Sequence, residues 1–496
     1  MSCLLVKSPI GKGFFMRLLL VMPTGLQVGY DAYFSSSPLG IETLAAHVCD
    51  IADVMLFDMR GKGHDVEAHV EELLKHKPDM IGVSMNSAPH TKYSLAFAEA
   101  VKRRNPEVKI VFGGQQATFL TEEMMAPGNV DAVVRGEGEL AFREIVTSGG
   151  FEGVAGVSWY SDGKIIDEPD RPLIENLDDV LVPARDMLPN RERYRVGKYR
   201  VEGIETSRGC AHHCSFCSVR NFHRGRWRPK SVQRVMQEID ELLDTCRYPK
   251  VIYFVDDNFS TDIRRMEEIC HEIIKRKAHD TFFWCQARVD ALAKSPDLVE
   301  LMGKAHFTAI LLGLETPVER LLKAAGKNIS VEQTMKTIEL LHANDIGAWG
   351  TFTLGLPGET PEDAQATVDF IPTTGVDVAQ ITVATPIPGS NLYDEAKEQG
   401  TILITDWDQY DFTSPILKGQ LPKKTLDALM HRAYLKVYLS PRFLLSMFSQ
   451  KTNLQRLRRT MFGVFLSWIW FLVKNRVRSW IGLKGKLSNP RQRLDT

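Results

Sequence analysis

Short apolar runs rich in β-branched residues alternate with amphipathic stretches of helical length through the first third of the chain. "RLLLVM" (17–22), "VMLFD" (54–58), "MIGVSM" (80–85), "KIVFGG" (109–114) and "DAVVRG" (131–136) are apolar at successive positions, the pattern of parallel strands covered on both faces. Segments such as "PLGIETLAAHVCD" and "TKYSLAFAEAVKRR" lie between them with apolar residues at helical spacing. Residues 1–150 are therefore predicted to form an α/β domain around a five-stranded, doubly wound sheet of the flavodoxin-like (Rossmann-like) type, with ligands beyond the carboxyl ends of the strands. "GVSWYSDGKIID" (156–167) predicts a hairpin turning at Ser161 to Gly163, and a Pro- and charge-rich run completes a 151–195 hairpin and linker.

A second series begins near residue 199. "YRVEGIETS", "KVIYFVDD", "TFFWCQARVD", "TAILLGLET", "GAWGTFTLGLPGE" and "DVAQITVATP" read as six strands separated by helix-length segments. This predicts an open, partial (βα)6 barrel over 196–395, its reactive face at the strands' C-terminal ends. Residues 396–496 read as a helical C-terminal region. Within it, 456–486 has an apolar core from Met461 to Val473, thirteen residues against the roughly 20 a bilayer span requires. Arg456, Arg458 and Arg459 precede that core; Lys474, Arg476, Arg478, Lys484 and Lys486 follow it, and Trp468, Trp470 and Trp480 are interspersed. Apolar residues that encircle the segment predict an interfacial helix on an anionic membrane. The alternative is a helix packing its apolar face on the barrel.

Composition narrows the class. A chain of 496 residues with 44% hydrophobic content supports two or three folded units. Its 61 Lys and Arg against 62 Asp and Glu give a formal net charge of -1, no field to attract nucleic acid, so none is expected as partner. Eight cysteines, three of them within eight residues, do not form the dispersed framework of a secreted scaffold, and a reducing cytoplasm is expected. Lys7, Lys12 and Arg17 interrupt the apolar N-terminal stretch before a signal-peptide core forms.

The three crowded cysteines are Cys210, Cys214 and Cys217 of "RGCAHHCSFCSVRNF" (208–222), in the loop after the first barrel strand. Structural zinc takes four ligands, whereas a [4Fe-4S] cube on three thiolates keeps one iron open for a substrate or cofactor. Zinc with a fourth ligand from His212, His213 or His223 remains the alternative. The C-x3-C-x2-C spacing, with Phe216 before the third cysteine, resembles the radical SAM superfamily, and the resemblance runs over residues 199–395. It implies that the open iron chelates the amino and carboxylate groups of S-adenosylmethionine (SAM). It also implies Asp256, Asp257 and Asn258 of "FVDDNF" near the methionine amino group, Arg288 paired with its carboxylate, and Glu315 of "GLET" at the ribose. The turns in "LGLPGET" and "TPIPGSNLY" are similar to the family's glycine-proline turns beside the nucleoside.

A flavodoxin-like domain upstream of such a barrel resembles the cobalamin-binding radical SAM proteins. The matching features are "DMRGKG" from Asp58 to Gly63, Ser84 in "VSMNS", Gly113 and Gly114 in "GGQQAT", and Gly136 and Gly138 in "RGEGE". Arg60 stands where cobalamin domains of the D-x-H-x-x-G kind carry their cobalt-binding histidine. A guanidinium is no practical cobalt ligand, so either cobalamin has been lost or it is held without a protein imidazole, the reading favoured here. The resemblance implies a methyltransferase that uses a 5′-deoxyadenosyl radical and methylcobalamin on an unactivated carbon of a lipophilic substrate, a tetrapyrrole side chain first. Hopanoid or other polycyclic-lipid methylation and oxidative cyclisation of magnesium-protoporphyrin monomethyl ester are the alternatives; a non-catalytic cobalamin or redox sensor is the other class. A reductant such as flavodoxin or ferredoxin, and a peripheral contact with the inner face of the membrane, complete the expected partners. No side-chain acid or base is singled out as catalytic.

Overall fold

The computed structural model describes residues 16–25, 36–196, 198–245, 249–278, 280–448 and 452–480, with the backbone alone at 452, 468 and 471–480. Strands β1 (Arg17–Met22), β2 (Asp53–Asp58), β3 (Met80–Ser84), β4 (Lys109–Gly113) and β5 (Ala132–Val134) lie parallel in the order β2-β1-β3-β4-β5. Both faces are covered, as the unbroken apolar runs require: Leu18 and Leu20 pack with Ile41, Phe142 and Ile145, while Leu19 and Val21 pack with Phe97, Val101 and Phe112. The hairpin of β6 (Val157–Ser161) and β7 (Lys164–Asp167) turns where predicted. Strand β6 pairs antiparallel with β5, so the hairpin continues the N-terminal sheet past residue 150. Pairing there covers an otherwise open sheet edge.

After β8 (Arg195–Val196) comes β9 (Tyr199–Ile204), then a small ribbon of β10 (Ser207–Arg208) and β11 (Arg228–Pro229). Strands β12 (Lys250–Phe254), β13 (Thr281–Ala287), β14 (Phe307–Glu315), β15 (Gly347–Leu354) and β16 (Val378–Val383) follow. Strand β9 and these five run parallel in chain order, with β8 antiparallel at the β9 edge, giving the expected partial barrel. Helices Val331–Ala343 and Pro361–Thr374 on its convex side begin at Ser330 and Thr360 with capping boxes that satisfy their first amides.

The concave floor is apolar: Val201, Val251, Trp349 and Val378 meet Phe282, Trp284 and Leu311. Leu457 and Met461 of the helix Thr452–Trp480 lie across it and close the amino-terminal end of the barrel. Gly347 permits this approach, since a Cβ there would stand 2.2 Å from Leu457 Cδ2. Asp345 accepts the amides of Asn453 and Leu454, each at 3.1 Å, and so caps the helix start. One turn on, buried Arg458 pairs with buried Asp377, which also takes His342 Nε2 and the Ala348 amide at 2.8 Å each.

These contacts correct the expectation of a membrane-facing basic flank. Besides Arg458, Arg456 lies over the Tyr199 and Phe282 rings at 5.6 and 5.4 Å, and Arg459 Nε donates to the Met447 carbonyl at 3.2 Å. Apolar residues do not encircle the helix evenly: Met461, Phe462, Phe465 and Ile469 face the barrel, while Leu466 and Trp470 are about half exposed. Packing on the barrel, the alternative reading, therefore holds from Leu454 to Ile469. The side chains of Trp468, Lys474, Arg476, Arg478 and Trp480, and residues Lys484 and Lys486, lie outside what is described. Among the described residues no helix is long and apolar enough to cross a membrane.

Arg458→Ala leaves the buried Asp377 carboxylate with His342 as its remaining side-chain partner. Loss of one partner from a buried pair costs about 3 kcal/mol, so anaerobic urea unfolding is expected to show a drop of that order. Arg456→Ala, which removes a ring contact of about 1 kcal/mol, is expected to shift the same curve much less.

Candidate active site

The cysteine loop leaves β9 through Glu205, Thr206 and Ser207, and its course is fixed by Asp256 from the end of β12. Asp256 is buried and accepts the Thr206 amide and the Thr206 hydroxyl at 2.6 Å each, and the Ser207 hydroxyl. Asn258 is buried as well; its Oδ1 accepts the Ser260 amide and hydroxyl at 3.2 and 2.8 Å and shapes the next turn. The three polar residues of "FVDDNF" thus separate by role. Asp256 and the Asn258 side-chain carbonyl oxygen are taken up by backbone amides and hydroxyls of neighbouring loops, and of the three only Asp257 is exposed. The surrounding protein and the adjacent Asp256 raise the Asp257 carboxyl above its ordinary range, and the Gly209 amide opposes them.

Gly209 is obligatory, with φ of +88° and a hypothetical Cβ 2.1 Å from the Arg226 carbonyl oxygen. Cys210, Cys214 and Cys217 follow, all partly exposed, and the Cys217 amide closes a turn on the Cys214 carbonyl at 3.1 Å. Burial pushes the Cys217 thiol up to about 12 and raises Cys210 in the same direction, with neighbouring thiols adding to both. Thiols raised in this way would ionise on binding a metal centre, which stabilises the thiolate and releases the proton to solvent. Among the described residues no three His, Cys, Asp or Glu side chains converge as ligands of one ion do. A cube takes its thiolates on three separate irons and asks for no such convergence. His223, the candidate zinc ligand from beyond the cysteines, has Arg228 Nη2 3.2 Å from its Nδ1. Phe216 anchors the loop among apolar neighbours that include Leu321, Leu356 and Leu392.

The loop is gripped from the N-terminal domain. Arg208, buried, donates to Glu137 Oε1 at 3.0 Å and to Glu139 Oε1 at 2.5 Å; Arg228 donates to both Glu137 oxygens at 2.8 and 3.0 Å. Burial alone would raise the Glu137 carboxyl, but Arg228 and Arg208 prevail and hold it down to about 2. Gln115 Nε2 donates to Ser218 Oγ at 2.6 Å, and Phe119 meets Phe222 edge-on at 6.2 Å. The strand-end turns "GGQQAT" and "RGEGE" are therefore built against the cysteine loop itself.

On the other side of those turns, Asp58 accepts Arg60 Nε at 3.0 Å, Arg60 Nη2 at 2.8 Å and the Tyr194 hydroxyl at 2.6 Å, and pairs with Arg193 at 2.6 Å. Burial opposes ionisation, yet Arg60 and Arg193 hold the carboxyl down to about 2. Asp58 is thus fully committed to protein partners. Arg60, far from a solvated loop residue, is folded onto it and also reaches the Ser36 carbonyl at 2.9 Å. Ser84 Oγ accepts Asn86 Nδ2 at 3.4 Å. Gly114 has φ of +94° and a Cβ would fall 2.5 Å from Asn86 Oδ1, so only glycine fits; Gly113 and Gly138 have room for a side chain. Gly63 and Gly136, at φ of +88° and +80°, have no atom within 4 Å of a Cβ position and leave bare backbone for a large flat ligand to approach. His90 escaped the sequence reading. Burial, aided by Arg60, pushes it down to about 4, and its ring lies where a Gly25 Cβ would come within 2.5 Å.

Across the barrel, Arg288 forms a two-pronged pair with Asp290 at 2.9 and 3.1 Å, so its fork is already filled. Glu315 is buried; Oε2 accepts the Thr353 hydroxyl at 2.7 Å, and Oε1 pairs with Lys327. Asp290, Thr353 and Lys327 were not foreseen, because nothing in their local sequence distinguishes them.

Residues 204–371 match the family model of the radical SAM superfamily, and residues 28–146 that of the B12 binding domain. An uncharacterized methyltransferase of Pyrococcus horikoshii is 32% identical over 443 residues, covering 87% of this chain and 94% of that one. The chain belongs to the cobalamin-dependent radical SAM methyltransferases. Its cofactors are a [4Fe-4S] cluster, SAM and cobalamin. It is also similar to the anaerobic magnesium-protoporphyrin IX monomethyl ester cyclase of Rubrivivax gelatinosus, 27% identical with 86% of this chain and 78% of that one covered. In fold it resembles the radical SAM methyltransferase TsrM of Kitasatospora setae, solved with cobalamin and a [4Fe-4S] cluster, at a TM-score of 0.70 and 16% identity over 90% of this chain and 99% of that one.

Because the folded Glu137 carboxyl lies at about 2, below its ordinary 4.5, its contribution to stability is present above pH 4.5 and disappears as the pH falls toward 2. The difference amounts to about 3 kcal/mol. Urea unfolding of Glu137→Gln across pH 6 to 3 is expected to lose less stability on acidification than the wild type, by about one proton's slope.

Proposed function

We infer that this methyltransferase alkylates an unactivated carbon of a lipophilic, ring-bearing molecule, a tetrapyrrole side chain being the first choice. The observation that carries the reading is the direct seating of the cysteine loop on the strand-end turns of the B12 domain through Arg208, Glu137, Glu139, Gln115 and Ser218. A substrate carbon at that junction is within reach of both domains' reactive faces. When bound, the cluster and SAM supply a hydrogen-abstracting 5′-deoxyadenosyl radical and cobalamin supplies the methyl group.

The chain's own residues bind and orient. Cys210, Cys214 and Cys217 would hold the cluster, Asp257 would serve the methionine amino group and Glu315 the ribose. Arg288 would meet the methionine carboxylate by giving up its pair with Asp290. Arg60, held by Asp58, would occupy the histidine slot without offering cobalt a nitrogen ligand, and Gly63 and Gly136 would give the corrin or its tail bare backbone. A low-potential carrier such as flavodoxin or ferredoxin delivers the electron.

The lipophilic substrate is supported by the likeness to a cyclase whose name specifies a magnesium porphyrin ester. It is supported also by Leu445 and Phe448, 72% and 73% exposed beside the C-terminal helix, where a peripheral membrane contact would place apolar side chains. The second reading, oxidative ring closure of such an ester, rests on that same relative.

The test incubates anaerobic, reduced holoprotein with methyl-deuterated SAM and magnesium-protoporphyrin monomethyl ester or bacteriochlorophyllide, read by mass spectrometry. Transfer of a labelled methyl with formation of 5′-deoxyadenosine is expected. Ring closure without label favours the second reading, and absence of 5′-deoxyadenosine favours a sensor. The triple Cys210→Ala, Cys214→Ala, Cys217→Ala variant is expected to lose about four irons and to form neither product. In the cob(II)alamin state the wild type is expected to give a base-off electron paramagnetic resonance spectrum; splitting from a nitrogen ligand would contradict the role given to Arg60.

A further inference from the structure

The Lys327–Glu315 pair is built with more care than an incidental buried ion pair requires. Strand β14 slips register against β15 between Gly313 and Glu315, and Glu315 adopts a φ of +57°, a left-handed conformation that costs a residue other than glycine free energy. That backbone turns the carboxylate to Lys327 Nζ on one oxygen and to the Thr353 hydroxyl on the other. Gly313 is the complement of the amine: a Cβ there would stand 2.2 Å from Lys327 Nζ. Both partners are buried, and an ion pair in that setting gives little net stability over apolar packing. Stability alone therefore does not account for the strained turn and the glycine.

Lys327 is also tied to the cysteines. Its loop is joined to theirs by the Ser215 amide, which donates to the Ala325 carbonyl at 3.0 Å. Gly326, at φ of +70°, sits so close that a Cβ would be 2.4 Å from the His213 carbonyl oxygen and 3.7 Å from Cys214 Cα. One side of this short loop is thus held by the segment that carries the cluster, and the next residue holds the carboxylate at the end of β14.

We propose that Lys327 is a positioning residue for SAM: it fixes the Glu315 carboxylate toward the ribose and, through the contacts of residues 325 and 326 with the cysteine loop, sets the spacing between that carboxylate and the cluster. The proposal rests on the ribose-facing role assigned above to Glu315. SAM would be held at its methionine end by the cluster and at its sugar by β14, so an error in that spacing would penalise binding even when each end is intact. Arginine, longer and planar, retains the charge but not the fit above Gly313.

The test uses full-length, anaerobically reconstituted protein carrying both cofactors and titrates SAM against the spectrum of the reduced cluster, with 5′-deoxyadenosine formation as the kinetic readout. Lys327→Met is expected to keep its iron and its SAM-free cluster spectrum, to weaken SAM binding tenfold or more, and to raise KM for SAM more than it lowers kcat. Lys327→Arg should recover part of the affinity. Glu315→Gln should weaken binding similarly, and the double variant should be no worse than the poorer single one, as for residues acting as one unit. SAM binding within twofold of wild type in Lys327→Met overturns the proposal, and so does loss of iron in that variant, which would make the lysine a support of the cluster loop. Full affinity in Glu315→Gln instead removes the ribose-facing reading of the carboxylate, and with it the proposal. Weakened binding in Glu315→Gln beside normal binding in Lys327→Met leaves that reading standing and removes Lys327 alone.

Discussion

Four charged side chains taken out of water between two domains govern how this molecule is put together. Glu137 and Glu139 come from the turn after β5, Arg208 from the approach to Cys210, and Arg228 from the strand that pairs with it. Each would be costly to bury alone, and each is tolerable only because the others are in place. The consequence is rigid registration. A loop that must present three thiols is held by Asp256 where it enters, by Glu137 and Glu139 just before the first cysteine, and by Gln115 just after the third. Such a loop, left on the surface with only its own backbone, would be among the most mobile parts of a barrel.

The same arrangement changes the meaning of the glycine-rich turns in the B12 domain. "RGEGE" reads as a ligand-approach motif because of its glycines, yet its two glutamates are structural partners of the other domain. The bare backbone at Gly136 and the acidic clamp at Glu137 occupy adjacent positions. One short turn thus joins open backbone to the contact with the cysteine loop, and the Asp58 centre also links two parts of the chain, with Arg60 on its own loop and Arg193 and Tyr194 from the connection to the barrel.

Parallel strands buried on both faces write themselves into a sequence as unbroken apolar runs, so β1 to β5 and the six parallel barrel strands were legible, and three cysteines at a distinctive spacing announced their own chemistry. What was not legible depends on partners far along the chain. Asp256, Asp257 and Asn258 are neighbours of similar chemistry, and only the fold decides that the first accepts from Thr206 and the second is exposed. Lys327 and Thr353 gain their interest from Glu315, itself in a backbone conformation that no local pattern signals. The cations before the apolar core of the C-terminal helix depend on distant partners in the same way: Arg458 pairs with Asp377, Arg456 lies over two aromatic rings and Arg459 donates to the Met447 carbonyl.

The floor of the barrel has a consequence in time as well as in space. Trp349 and its aromatic neighbours are covered by Leu457 and Met461, side chains that the ribosome adds roughly a hundred residues later, on the order of ten seconds at ordinary synthesis rates. Through that interval the nascent barrel has its strands and its cysteines but an uncovered apolar underside. Chaperone engagement during synthesis would fall on that underside.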